Sequence, residues 1–363
     1  MINILIDHTI FLHQKNGGIS KYFCRLQHKN NSLDKDINIK IFSPITINEN
    51  LFNLQNKENI YYLKLEKIPK YCSRLFYFFN NILTLLYIKF YKPDLLHLSY
   101  FNYSIIKYID IPYILTIHDL IHEKYFKSNI DQKKYDLINN AKKIICVSQN
   151  TKKDLINLYK VDSKKISVIY HGIDITIKKE KKFNKKNNIL FIGDRRSYKN
   201  FPILLRAFSG SDFLKKNYKI VCFGGGNFNK KETSLIKKLN LSNSVNFFLG
   251  DDYKLFKIYQ TSKVLVYPSR HEGFGIPIIE ALANKCAVIT SNIDIFREIL
   301  LDPIFFFNNN DEKDLSKKLE KLLKSKHLYN LNLRLGYKII RRFSLKKNYL
   351  LHKNLYMKSI DKA

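Results

Sequence analysis

The sequence predicts an α/β protein with two parallel-sheet domains, and three observations carry that prediction. The chain has 363 residues, beyond the size at which a single core usually stops growing. Short β-branched apolar runs alternate with helical stretches along nearly its whole length, the pattern of a parallel sheet covered on both faces. A lysine-rich run at 177–188 divides this alternation into two series. A hydrophobic fraction of 45% with 14% aromatic residues fills sizeable cores and excludes a disordered chain.

The first series reads as strands at 4–6, 37–42, 60–65, 95–98, 113–117, 144–147 and 166–170. Helices are expected from about Ser20, near 73–91 and near 131–141. The second series places strands at 189–192, 218–223, 245–249, 263–267, 287–290 and 304–307, and the tail at 343–358 reads as one more helix. The expected organisation is a first domain at 1–176, a linker at 177–188, a second domain at 189–342 and a terminal segment at 343–363. Two such halves predict a cleft, a preferred place for ligands.

The most apolar stretch, 75–90, contains Asn80, Asn81 and Lys89 and falls short of the ~18 to 20 apolar residues that span a bilayer. A core helix is the expectation. Surface contact with a membrane is the alternative, because Lys67, Lys70 and Arg74 precede the stretch. The net charge of +32 fits either a compositional bias toward lysine or a surface that meets polyanions or anionic headgroups.

Five cysteines, Cys24, Cys72, Cys146, Cys222 and Cys286, are far apart and lack zinc or disulfide spacing. The sequence starts on a strand-like run and shows no export signal. A cytoplasmic protein is expected, peripheral at the inner face of the membrane if the charge serves that purpose.

The chemistry concentrates at 269–283. An apolar strand ends at Tyr267-Pro268, and a turn follows in which Gly273 and Gly275 permit backbone angles that a side chain forbids. Pro277 then fits the first turn of a helix beginning near Gly275. The amides and dipole of such a helix start suit an anion, phosphate above all. Glu272 lies before this helix and Glu280 lies inside it among apolar neighbours, where an ionised carboxylate needs hydrogen-bond donors such as a sugar or ribose diol.

Four further segments have the same logic. Gly17 and Gly18 precede a helix, so amides there can face an anion. His118 ends an apolar strand, at the edge where open α/β sheets bind ligands; Asp119 reads as a capping residue, and His97 as a lesser candidate. Ser148 reads as a helix cap. Arg195 and Lys199 follow a strand and Gly193, where cations can neutralise a diphosphate, with Arg196 left open. The glycines at 224–226 read as a turn.

Taken together, Glu272, Gly273-Phe274-Gly275-Ile276, Pro277 and Glu280 resemble the donor-site signature of family 4 (group 1) retaining glycosyltransferases, which have the GT-B fold. Thr116-Ile117-His118-Asp119, the segment around Ser148, His171-Gly172-Ile173-Asp174 and Gly193-Asp194-Arg195 through Tyr198-Lys199-Asn200-Phe201 extend the likeness over nearly the whole chain. The pattern is similar to bacterial mannosyltransferases of surface polysaccharide synthesis.

The resemblance implies two Rossmann-like domains with a C-terminal helix crossing back to the first. It also implies transfer of a hexose from a GDP- or UDP-sugar, mannose slightly favoured, to a glycan or lipid-linked acceptor with retention and without a metal or other cofactor. It assigns His118, Glu272, Arg195 and Lys199 as catalytic residues. Gly17, Gly18, Arg195, Lys199, Gly273, Phe274, Gly275, Ile276 and Glu280 become donor contacts. Departures are Leu345 where the family commonly has Trp, a shortened loop at 248–253, and Asn284-Lys285 where it has a helix-ending glycine; Asn284 is expected to take the left-handed stop. No specific nucleic acid is expected as a partner, although a polyanion-binding protein or a GT-B epimerase remains the alternative.

Overall fold

The computed structural model describes residues 1–33, 36–52, 59–69, 71–126, 131–174, 184–195 and 197–360, the side chains of 31–33 excepted. Most of the expected linker, 177–183, and Arg196 lie outside the described residues. The chain forms two compact units: Met1–Gly172 with Ser344–Ala363, and Ile173–Phe343.

The first unit is built on seven strands, β1 (Ile2–Ile6), β2 (Ile37–Thr46), β3 (Ile60–Lys64), β4 (Leu95–Leu98), β5 (Tyr113–Ile117), β6 (Lys143–Cys146) and β7 (Ile166–Val168). They pair in parallel in the order β3-β2-β1-β4-β5-β6-β7. The second unit has β8 (Asn188–Ile192), β9 (Lys219–Phe223), β10 (Val245–Phe248), β11 (Val264–Tyr267), β12 (Ala287–Ser291) and β13 (Phe306–Phe307), ordered β10-β9-β8-β11-β12-β13. Every residue of β4, β5, β11 and β12 is buried, as continuous apolar strands covered on both faces must be. In each unit the order reverses beside the first strand, the place where open α/β sheets bind ligands.

The tail forms the helix Leu345–Ile360, which packs on the Gly18–Leu33 helix of the first unit. Tyr349 and Tyr356 are buried there, and Asn30 donates to the Tyr349 hydroxyl at 3.0 Å. This helix therefore belongs to the first unit despite its position after the second.

Three expectations need correction. The expected last strand shrinks to two residues, because Asp302 caps a 3-10 turn at Pro303–Phe305 that occupies its start. The helix at Ile276–Ala283 is stopped by Lys285, whose φ is +55°, while Asn284 stays at φ −96° and donates its side-chain amide to the Glu280 carbonyl at 2.9 Å. The third concerns the Ser73–Tyr91 helix, which forms as expected but not as a core helix. Its buried side includes Asn80, Asn81 and Thr84, while Leu75, Phe78, Phe79, Ile82, Leu83, Leu86 and Phe90 are exposed.

Candidate functional site

The second unit gathers its candidate residues where β8 and β11 end. Tyr267 closes β11, and the following turn runs to Gly275, whose φ of +107° is the left-handed conformation that glycine adopts without strain. A Cβ there would sit 3.1 Å from side-chain atoms of both Ile278 and Phe296, which would have to shift to admit it. Ile276–Ala283 follows as a helix whose start no side chain caps. Pro277 has no N–H and the Ile278 amide donates to the Gly275 carbonyl at 2.9 Å, so the Ile276 amide is the one that the positive end of the helix dipole presents outside the helix.

The turn is tied to the loop after β8, because the Arg270 amide donates to the Tyr198 carbonyl at 2.8 Å. That loop carries Lys199 on a 3-10 turn, Ser197–Lys199. The Lys199 ammonium lies 2.5 Å from Glu272 Oε1 and 2.7 Å from the Tyr267 hydroxyl, and both charged side chains are largely buried. The expected acid and base thus meet as an ion pair. Burial, then the Glu272 charge, pushes the Tyr267 phenol well above its usual range, so it stays protonated beside the pair.

Glu280 points into the unit with 5% of its surface exposed, and the Tyr259 hydroxyl donates to its Oε2 at 3.3 Å. Tyr259 is itself raised well above the ordinary phenol range by burial and then by the Glu280 charge. The Phe274 ring is buried and packs edge-on against Phe343 at 5.5 Å.

Arg195, expected to meet a diphosphate, is buried with 3% of its surface exposed. Its guanidinium turns inward, donating to the carbonyls of Gly224 at 2.7 Å, Gly226 at 2.7 Å and Asn227 at 3.0 Å, with Nε 3.3 Å from Glu232. The cause is the glycine turn: φ is positive at Gly224, Gly225 and Gly226, which directs successive carbonyls toward one place, and a planar fork of donors satisfies them together. Arg195 holds that turn in shape.

In the first unit, Gly17 precedes the Gly18–Leu33 helix, and its carbonyl accepts from Ser20 Oγ at 3.1 Å and Asn50 Nδ2 at 3.3 Å. Gln14 Oε1 accepts from the Ser20 amide and occupies the space that a Gly17 side chain would need. The helix start that sequence assigned to an anion therefore already has a side-chain acceptor at one of its amides.

His118 sits just past β5, 8% exposed, and neither ring nitrogen has a hydrogen-bond partner. Burial pushes it down to about 3, so the ring is neutral, with one donor and one acceptor unused. His97 differs: its nitrogens meet Tyr356 at 2.6 Å and Thr116 at 2.7 Å, which makes it structural. Asp119 accepts from the Ile121 amide at 3.2 Å just before a short helix capped at Leu120, and Ser148 caps its helix by accepting from the Thr151 amide at 2.9 Å.

Sequence reasoning missed Tyr267 and Tyr259 as the hydroxyls that hold Lys199 and Glu280. The available signal at Tyr267 was a polar tip on the last residue of an otherwise apolar strand.

A sequence model described as Glycosyl transferases group 1 matches residues 172–342, and one described as Glycosyltransferase Family 4 matches residues 33–177. The chain belongs to the group 1, family 4 glycosyltransferases. The O-antigen chain mannosyltransferase RfbU of Salmonella typhimurium is 34% identical over 212 residues, which cover 55% of this chain and 57% of that relative. Thus the match spans little more than half the length of that curated relative.

A glycosyltransferase from Rickettsia africae superposes with a TM-score of 0.75 at 22% identity, covering 100% of this chain and 99% of that one. Anabaena HepE, solved with UDP and glucose, superposes at 0.76 with 14% identity, covering 99% and 100%. These likenesses show the fold, that of GT-B glycosyltransferases.

Proposed function

We propose that this protein transfers a hexose from a nucleoside diphosphate sugar to a glycan or lipid-linked acceptor. The observation that carries the proposal is the Lys199–Glu272 pair beside the glycine turn and the uncapped helix start. Breaking a sugar–phosphate bond leaves negative charge on the diphosphate and positive charge on the sugar ring. Lys199 and the Ile276 amide at the positive end of the Ile276–Ala283 helix would stabilise the former, and Glu272 would orient the sugar hydroxyls and face the latter. For that, Lys199 must exchange Glu272 for phosphate oxygen, and Tyr267 keeps one partner on the ammonium during the exchange. Glu280 would hold the ribose diol.

In the first unit, the unused nitrogens of His118 suit a hydroxyl-bearing ligand. Retention of configuration, metal independence and a GDP-mannose donor complete the reading; the last is favoured by the mannosyltransferase name of the RfbU relative.

The test offers the chain GDP-mannose or UDP-glucose together with a lipid-linked glycan acceptor, with and without chelator. Release of the nucleoside diphosphate coupled to mass gain on the acceptor, unchanged by chelator, is the expected result. Thermal stabilisation by GDP or UDP identifies the base by mass action. No stabilisation by either nucleotide, together with no transfer, would overturn the reading.

A further inference from the structure

The Ser73–Tyr91 helix turns three polar side chains inward and leaves a row of apolar ones exposed. Asn80 exchanges hydrogen bonds with Ile45, its Oδ1 accepting from the amide at 2.9 Å and its Nδ2 donating to the carbonyl at 2.8 Å. Asn81 accepts from Asn102 at 3.1 Å, and Thr84 pairs with His8 at 3.0 Å. The polar residues anchor the helix to its own unit together with buried Ile88 and the partly buried Leu85 and Tyr87, while a row of other apolar residues faces outward.

Those outward residues, 75, 78, 79, 82, 83, 86 and 90, recur at three- and four-residue steps and so make one continuous stripe. Phe78 is 57% exposed, Leu86 48% and Phe90 83%. The helix has 19 residues, which makes the stripe ~28 Å long. Beside it lies a largely apolar hollow of about 840 Å³, which shares Phe78, Ile82 and Leu85 with the helix and is closed partly by Tyr103, Ile106 and Tyr108.

Charge selects the occupant. Between Lys67 and Pro93 there are five lysines and arginines and no aspartate or glutamate. Arg74, Lys89 and Lys92 are exposed, and Lys107 and Lys133 line the hollow together with a single acid, Asp136. A second copy of this chain would bring the same cations against them, whereas anionic headgroups would neutralise them. No helix among the described residues is long and apolar enough to cross a membrane, so this one would lie in the plane of a bilayer surface.

We propose that the Ser73–Tyr91 helix is the face by which this protein docks on an anionic lipid bilayer, with its apolar stripe sunk among the acyl chains and its flanking cations at the headgroups. The inference does not depend on the donor chemistry of the second unit.

The chain has no tryptophan, so one introduced residue reports its own surroundings. With vesicles of phosphatidylglycerol and phosphatidylethanolamine, Leu86→Trp should shift its emission to the blue and be quenched by lipids brominated in the acyl chain. Tyr337→Trp, exposed on the second unit, should do neither. Vesicles of phosphatidylcholine alone should leave Leu86→Trp unshifted. The variant Phe79→Glu/Leu83→Glu/Leu86→Glu should lose at least about tenfold in partitioning onto the anionic vesicles at fixed salt, since three apolar side chains no longer enter the bilayer. Its nucleotide-free melting temperature, measured alongside, confirms that the unit remains folded.

The proposal is overturned if Leu86→Trp on bound vesicles stays water-exposed, or if the triple variant binds as well as the parent. It is equally overturned if the blue shift appears without lipid and grows with protein concentration, which would make a second copy the occupant.

Discussion

At the scale of single residues, the Lys199 ammonium is the group on which the donor reading turns, because it contacts both Glu272 and Tyr267. On the proposed function, Glu272→Gln keeps the shape but removes the negative charge assigned to orienting the sugar, so the turnover rate is expected to fall by ~10²-fold or more while nucleoside diphosphate still binds. Tyr267→Phe removes one hydrogen bond to the ammonium and is expected to slow transfer by roughly 5- to 30-fold, equivalent to ~1 to 2 kcal/mol. Steady-state kinetics with a parallel measurement of nucleotide affinity separates these effects from loss of folding. Arg195→Lys should act differently. A lysine cannot reach three carbonyls and Glu232 in one plane, so the expected outcome is a lower melting temperature through the 224–227 turn.

At the scale of elements, what the sequence disclosed follows from how local each signal is. The apolar strands and the strand-turn-helix around Gly275 were legible because backbone freedom, proline placement and continuous hydrophobicity act within a few residues. The inward turn of Arg195 was not, since it depends on the carbonyls of Gly224, Gly226 and Asn227 after a different strand end. The orientation of the Ser73–Tyr91 helix was also hidden: its apolar content suggested a core, and only the partners of Asn80, Asn81 and Thr84 reveal which side faces inward.

One of those partners marks a weak point in the sheet. The pairing of β2 with β3 shifts register between Ser43 and Ile45, around Pro44, and the Asn80 amide satisfies the Ile45 backbone there. Asn80→Ala would remove the side chain that meets the partly buried N–H and C=O of Ile45. A destabilisation of ~1 to 3 kcal/mol is expected, read as a lower urea midpoint at unchanged m-value.

At the scale of the whole molecule, the two units repeat one architecture but differ in how they should respond to acid. His8, His97, His118, His171 and His352 are all buried in the first unit. Burial is the largest cause in each case and lowers every one: His8 to about 4, His118 to about 3, His352 to about 4, and His97 and His171 well below the usual value.

The surroundings modify this unevenly. The Asp7 charge opposes the shift at His8 while His13 adds to it, and the Asn348 carbonyl opposes it at His352. The histidines repel one another's protonation at His97 and His171, where Arg25 adds to the effect at His171.

A histidine whose folded value lies below its unfolded value of about 6.5 takes up a proton in the unfolded chain first. Its contribution is therefore fully present above pH ~6.5 and is lost as pH falls toward the folded value, at up to ~1.4 kcal/mol per pH unit for each group. The first unit should thus loosen between pH 6.5 and 4 while the second, which has no such cluster among its described residues, holds longer. Hydrogen exchange at pH 7.5 and 5.5 is expected to show protection lost first in β4, β5 and the Leu345–Ile360 helix. His352→Gln, which removes one of the five titrating groups and retains a side chain able to meet Tyr22, should flatten the fall in melting temperature with pH. Equal loss of protection in both units, or an unchanged slope in the variant, would show that the buried histidines do not set acid stability.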